Sequence, residues 1–147
     1  MKTVSKEGKG IYTEKKSEFI AFAKRADSFE EIKSFIEKLK KEYKDARHIC
    51  YACKTPDGIR QYDDKEPQKT AGAPIMKIIE AKELENVVVA VVRYFGGIKL
   101  GAANLSAAYA KAAANAVENA EICTLTLCKI SELTLSLKDG AAFKKAL

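Results

Sequence analysis

Apolar positions recur with a period of two in some stretches of this chain and of about 3.6 in others, and the changes of period mark its elements. Phe19, Ala21 and Ala23 alternate with Ile20, Phe22 and Lys24, so residues 18–25 read as a strand. It pairs with an earlier strand at 10–16 through a connection at Lys15-Lys16-Ser17. Ser28-Phe29-Glu30-Glu31 has the form of a capping box, in which the Ser28 hydroxyl satisfies a free amide of the first turn and Glu31 reaches back. Behind it, Ile32, Phe35, Ile36 and Leu39 share one helical face, while Lys33, Glu37, Lys40 and Lys41 turn away from it. Residues 46–54 return to strand spacing. A polar stretch follows from 55 to 68, with Pro56-Asp57-Gly58 as a turn signal and Pro67 closing it. Beyond Pro74, Ile75, Ile78 and Ile79 suggest a short helix. Residues 86–94 hold five valines and are apolar on both faces, the pattern of a central strand. Phe95-Gly96-Gly97-Ile98-Lys99-Leu100-Gly101 forms a glycine-rich loop that opens into an alanine-rich helix at 104–119. Leu105, Ala108, Tyr109, Ala112 and Ala116 are its packing face, and such small residues let a helix sit close on a sheet. Strands at 122–129 and 132–137, a turn at Asp139-Gly140 and the start of a helix at 141–147 complete the reading. There is no internal repeat, heptad pattern or low-complexity tract.

A length of 147 residues suits one domain of ordinary size, or one domain and a fragment, and is enough to bury a core without disulfide or metal. Hydrophobic residues make up 47% and charged residues 31%, which excludes a disordered chain. No apolar run approaches the roughly 18–20 residues of a membrane span, and the first ten residues lack a secretory core, so a soluble cytoplasmic protein is expected. The net charge of +6 is unevenly spread. Residues 1–54 hold 14 Lys/Arg against 9 Asp/Glu, residues 55–100 hold 7 of each, and residues 101–147 hold 5 against 4. A basic first third points to an anionic partner such as RNA, because each cation laid on a phosphate releases a counterion. A solvated lysine-rich face is the plainer alternative.

The four cysteines are Cys50, Cys53, Cys123 and Cys128, and the single histidine is His48. His48, Cys50 and Cys53 invite a zinc reading, but on a strand His48 and Cys50 share one face while Cys53 takes the other. Tyr51-Ala52 also lacks the turn a zinc knuckle needs. A nucleophilic Cys50/His48 pair has suitable geometry, with nothing evident to orient the histidine, so a small buried thiol is the better reading. Disulfides are not expected.

Two loops concentrate the polar chemistry. In the first, Asp63, Asp64 and Glu66 suit a Mg²⁺ ion, an acid–base pair, or an ion pair with Arg93, and the ion pair is the expectation. In the second, Gly96 to Gly101 has the Gly-x-x-x-x-Gly spacing of a phosphate loop, but Ala102-Ala103 stands where Lys-Ser/Thr is required. Arg93, Tyr94, Phe95 and Lys99 together mix cations and aromatics as nucleic-acid surfaces do.

The segments HICYAC, DDKEP, TAGAPI and VVVAVVRYFGGIKLG resemble the N-terminal domain of the IMPACT/YigZ family, over roughly residues 8–120. The resemblance implies an α+β fold like domain two of several ribosomal proteins and domain four of the translocating elongation factor. That fold has a mixed sheet with helices on one face and a left-handed βαβ crossover. It implies a role in translational control, with eukaryotic members opposing activation of an amino-acid-starvation kinase and nucleic-acid binding proposed for bacterial ones. The family motif falls on His48, Asp63, Asp64, Glu66, Pro67, Thr70, Ala71, Gly72, Pro74, Arg93, Tyr94, Phe95, Gly96, Gly97, Lys99, Leu100 and Gly101. The chain departs from it at Lys65, Gln68 and Lys69, where Gly and Ser are usual, and at Ala107, where the family has arginine. Residues 1–120 would be the family domain, and 121–147 an incomplete ferredoxin-like second domain or an extension.

The leading expectation is a non-enzymatic, cofactor-free protein of translational stress control that binds RNA or the ribosome. Its surface would use Asp63, Asp64, Glu66, Thr70, Gly72, Arg93, Tyr94, Phe95, Gly96, Gly97, Lys99 and Gly101 together with the basic N-terminal third. One rival is a small enzyme binding a phosphorylated ligand at Gly96–Gly101 with metal on Asp63 and Asp64. Another is a protein–protein module with no RNA contact.

Overall fold

A computed structural model describes residues 2–124. Five strands form one antiparallel sheet: β2 (Gly8–Glu14), β3 (Ser17–Arg25), β4 (His48–Thr55), β5 (Gly58–Tyr62) and β6 (Val87–Tyr94), in the order β2-β3-β6-β4-β5. The valine strand β6 is central, as its two-sided hydrophobicity requires. A short strand β1 (Lys2–Val4) pairs with β7 (Ile122–Thr124) in a separate ribbon. Three helices complete the fold: α1 (Phe29–Glu42), α2 (Gly72–Ala81) and α3 (Ala102–Ala120). The expected strand at 132–137 and helix at 141–147 lie outside the described residues, as does most of the expected strand at 122–129.

The α+β class expected of the sequence is the observed one, with two corrections to its detail. The sheet is antiparallel throughout rather than mixed, and its helices lie on both faces rather than one. On one face, α2 and α3 pack over Phe19, Ala21, Cys50, Ala52, Val89 and Val91. On the other, Ile32, Phe35, Ile36 and Leu39 of α1 pack on Ile20, Phe22, Ile49, Cys53, Val88 and Val92. Alternation along each strand supplies both cores.

The order of strands also fixes a question of hand. β3 and β4 are parallel across the intervening β6 and are joined through α1. β5 and β6 are parallel across the intervening β4 and are joined through α2. Turning the sheet by half a revolution about its normal superposes one crossover on the other, except that their helices lie on opposite faces. The two are therefore of opposite hand, and one is left-handed, against the strong general preference.

Local chemistry sets the ends of the elements. Lys15 and Lys16 both take positive φ (46° and 68°), as a two-residue hairpin turn between right-twisted strands demands. The Ser28 hydroxyl accepts from the Glu31 amide at 3.2 Å, and Glu31 accepts from the Asp27 amide at 2.9 Å, one residue earlier than a standard capping box. Asp57, in the turn before β5, accepts from the Phe29 amide at the start of α1.

Candidate functional site

Arg93 is the last fully buried residue of β6, and its side chain lies on the α2/α3 side of the sheet against Phe19. There it meets Glu66, which the 63–70 loop carries inward. Arg93 Nη1 donates to both Glu66 oxygens, at 2.8 and 2.7 Å, and both residues are over nine-tenths buried. Tyr109 of α3, fully buried, donates its hydroxyl to Glu66 Oε2. His48 lies between two carboxylates, with Nε2 3.6 Å from Glu66 and Nδ1 3.7 Å from Asp64. This cluster ties β4, β6, α3 and the acidic loop together. The expected ion pair between that loop and Arg93 is thus present, and Glu66 makes it.

The remaining acids of the loop have other work. Asp63 Oδ1 accepts from the Gly72 and Ala71 amides at 2.8 and 3.2 Å, and Oδ2 accepts from the Lys69 amide at 3.0 Å. It caps α2 from nine residues upstream, which α2 needs because its own N-cap residue is Ala71. Asp64 Oδ2 accepts from the Ile49 amide at 2.8 Å and Oδ1 from the Tyr62 hydroxyl at 3.1 Å. All four oxygens therefore already have donors, and among the described residues no group of three His, Cys, Asp or Glu is arranged to hold a metal.

The zinc reading fails for the reason foreseen, since Cys50 and Cys53 sit in opposite cores. Cys50 donates its thiol to the Asp63 carbonyl at 3.2 Å and lies 3.4 Å from the Tyr109 hydroxyl. Burial pushes the Cys50 thiol far above its ordinary value, outweighing the lowering effect of the Tyr109 hydrogen bond. Burial, then the nearby Cys50 and Glu66, push the Tyr109 phenol upward in the same way. Both groups stay protonated, so Cys50 is no nucleophile for a Cys50/His48 pair and Tyr109 is a fixed donor. Cys123 is disulfide-bonded, which overturns the expectation that the chain would carry no disulfide.

A cavity of about 400 Å³ opens beside this cluster, between the acidic loop and the β6–α3 loop. Arg93, Glu66 and His48 form its inner wall, Pro67, Leu100 and Leu105 give it apolar surface, and Arg47, Lys65, Lys99 and Phe95 stand at its rim. Phe95 is 37% exposed, with the Arg47 guanidinium 4.8 Å and the Arg93 guanidinium 5.6 Å from its ring centre. The Arg47 amide donates to the Arg93 carbonyl at 2.9 Å, which anchors its backbone beside β6. A neighbouring depression shares Arg47 and His48 with the cavity and adds Lys40 and Lys44.

Of the residues expected to form the surface, Glu66, Arg93, Phe95, Lys99 and Gly101 line the cavity. Asp63, Thr70 and Gly72 instead build the loop and the start of α2: Thr70 donates its hydroxyl to the Pro67 carbonyl, and Gly72 lets α2 approach β5. Tyr94 points to the opposite face, where its hydroxyl donates to Asp45. Gly96 lies against the β2–β3 turn, its amide donating to the buried Ser17 hydroxyl at 3.1 Å, and a Cβ there would fall 2.2 Å from the Lys16 backbone. Gly97 is exposed and lines no wall of the cavity. Arg47 carries no mark in the sequence and Lys65 stands out only as a departure from the family motif, because nothing in a surface cation's neighbours tells which cavity it will border.

Known proteins share this sequence pattern and fold. The family described as the Impact N-terminal domain matches residues 15–117, a span that holds both loops, Arg47 and Tyr109. IMPACT family member YvyE of Bacillus subtilis (strain 168) is 35% identical over 131 residues, which cover 87% of this chain and 60% of that protein. IMPACT family member YigZ of Escherichia coli (strain K12) is 40% identical over 100 residues, 65% of this chain and 49% of that protein. A crystal structure of a hypothetical protein superposes with a TM-score of 0.77 at 27% identity, covering 94% of this chain and 75% of that one. The chain thus spans about half to three-fifths of the length of these curated relatives. With the family domain matched across most of the described fold, this chain belongs to the IMPACT family.

Proposed function

We propose that this protein is a translation-linked regulator that binds RNA, free or on the ribosome, through the face around the cavity. The observation that carries the reading is the rim itself. Arg47, Lys65 and Lys99 surround an exposed aromatic ring, and the one acid of the wall, Glu66, is already neutralised by Arg93. Cations beside an accessible ring are what single strands and splayed bases require. Lys40 and Lys44 extend the positive surface past Arg47, which brings part of the basic N-terminal third to the same face. Membership of the IMPACT family supports a place in translational control. No helix among the described residues is long and apolar enough to cross a membrane.

The test is binding of structured cellular RNA and co-sedimentation with ribosomes, each across a salt series. Affinity should fall steeply with salt, and Lys99→Glu or Arg47→Glu should weaken it further. Binding indifferent to both would remove RNA as the ligand. A protein partner is favoured by one separate observation: β5 is an outer strand of the sheet, with Ile59 and Tyr62 roughly half exposed along it. Nuclease treatment during co-purification separates the two readings.

A further inference from the structure

Resting on the RNA reading above, we propose that the cavity receives one unpaired nucleotide of that RNA, its base against Phe95 and its phosphate at Lys99 and Lys65. The first argument is shape. A duplex presents its phosphates on a convex surface, and a concave site of about 400 Å³ offers such a surface few contacts. One nucleotide swung out of its stack fits a site of that kind.

The second argument is the distribution of polarity. The cations stand at the rim, where a phosphate would stay partly hydrated, while Pro67, Leu100 and Leu105 supply apolar surface within reach of a base. The only carboxylate in the wall accepts two hydrogen bonds from Arg93 and one from Tyr109, so an entering anion meets no free negative charge. The Arg47 guanidinium already lies over the Phe95 ring, and aromatic and guanidinium groups together are a common platform for bases. The backbone that carries the platform is anchored at both residues. Arg47 is tied by its amide to β6, and Gly96, the residue after Phe95, is tied to Ser17. Flanking phosphates would then follow Lys44 and Lys40 along the adjoining depression.

A free nucleotide offers the same chemistry, and the experiment distinguishes the two sources. Labelled single-stranded oligoribonucleotide, the same sequence as a duplex, and nucleoside 5′-monophosphate are titrated in parallel. Single strand should bind at least tenfold more tightly than duplex or mononucleotide. Phe95→Ala should weaken single-strand binding about 5- to 150-fold and leave duplex binding unchanged. The chain has no tryptophan, so Phe95→Trp places a lone fluorophore at the mouth. Its emission should be quenched by single strand and not by duplex, a signal that a merely structural role for Phe95 would not give. Equal single-strand and duplex affinity, with emission of the Phe95→Trp variant left unquenched, overturns the nucleotide pocket while leaving RNA binding intact. Mononucleotide binding as tight as the oligomer overturns RNA as the source. Absence of any RNA binding removes the underlying reading and this inference with it.

Discussion

Glu66 is the residue on which the most groups depend. It accepts from Arg93 and Tyr109 and lies within 3.6 Å of His48, at 7% exposure. Removing its carboxylate leaves the Arg93 guanidinium buried without a counter-charge, and Arg93 Nε already has no hydrogen-bond partner among the described residues. Glu66→Ala should therefore lower stability by about 3–5 kcal/mol in urea unfolding, whereas Tyr109→Phe, which removes the hydroxyl shared by Glu66 and Cys50 but leaves the ion pair, should cost less, about 1.5–3 kcal/mol. A Glu66→Ala cost under about 1 kcal/mol would show that the pair is not what holds the two loops together. The thiol and phenol beside it make a second prediction, about pH. Cys50 is raised from 9.0 and Tyr109 from 10.0, so the folded state holds both protons more tightly than the unfolded chain does. Their contribution to stability is whole below pH 9 and declines as the unfolded chain begins to release its protons above that. Stability should fall between pH 9 and 11, and the decline should be shallower in Cys50→Ala. Native Cys50 should also resist alkylation at pH 8, read peptide by peptide after digestion.

The contact between β2 and α3 shows how two elements specify each other. Gly8 and Gly10 face α3, and a Cβ on either would sit 2.3–2.4 Å from the Ala116 or Ala120 backbone. The alanines foreseen as a close-packing face thus meet glycines, and the helix backbone nearly touches the strand. At this distance Asn115 and Asn119, one turn apart, donate to the Ile11 and Lys9 carbonyls, which lie two residues apart on the strand. That covers acceptors on the outer strand of the sheet with side-chain amides. Gly10→Ala should cost at least the roughly 1–3 kcal/mol of an overpacked core, and Asn119→Ala about 1 kcal/mol, both by thermal or urea unfolding. A neutral Gly10→Ala would mean α3 rides higher than described. The alanines and the Ser28 cap were legible because period and capping are local properties. So was β6, whose two-sided apolarity admits few other readings. β5 was not: its residues from Ile59 to Tyr62 are exposed on both faces, so no alternation marks them, and pairing with β4 alone makes them a strand. β1 is too short to show a period. The Arg93 pair was legible as a type of contact, but choosing Glu66 over Asp63 and Asp64 required knowing that α2 and β4 would claim the other two.

Across the whole molecule, the sheet is built so that neither face closes before the other. β3 and β4, joined through α1, leave a gap that only β6 fills, and β6 arrives after β5 and α2 have crossed the opposite face. The two crossovers of opposite hand share that one strand. Its odd positions Val87, Val89 and Val91 complete the α2/α3 core, and its even positions Val88, Ala90 and Val92 complete the α1 core. The two cores should consequently melt as one. Val89→Asp and Val88→Asp each bury an uncompensated carboxylate, at a cost of about 3–5 kcal/mol against a total of roughly 5–15 kcal/mol for a domain. Although they enter different cores, both should lower the unfolding midpoint by similar amounts, with circular dichroism of the helices and aromatic signals changing together. If Val88→Asp loosened only α1, leaving Tyr109 and the cavity in their native environment, the faces would be independent units and β6 a divider between them. Coincident transitions in both variants would show instead that the strand carrying Arg93 holds the cavity in place through the stability of the entire sheet.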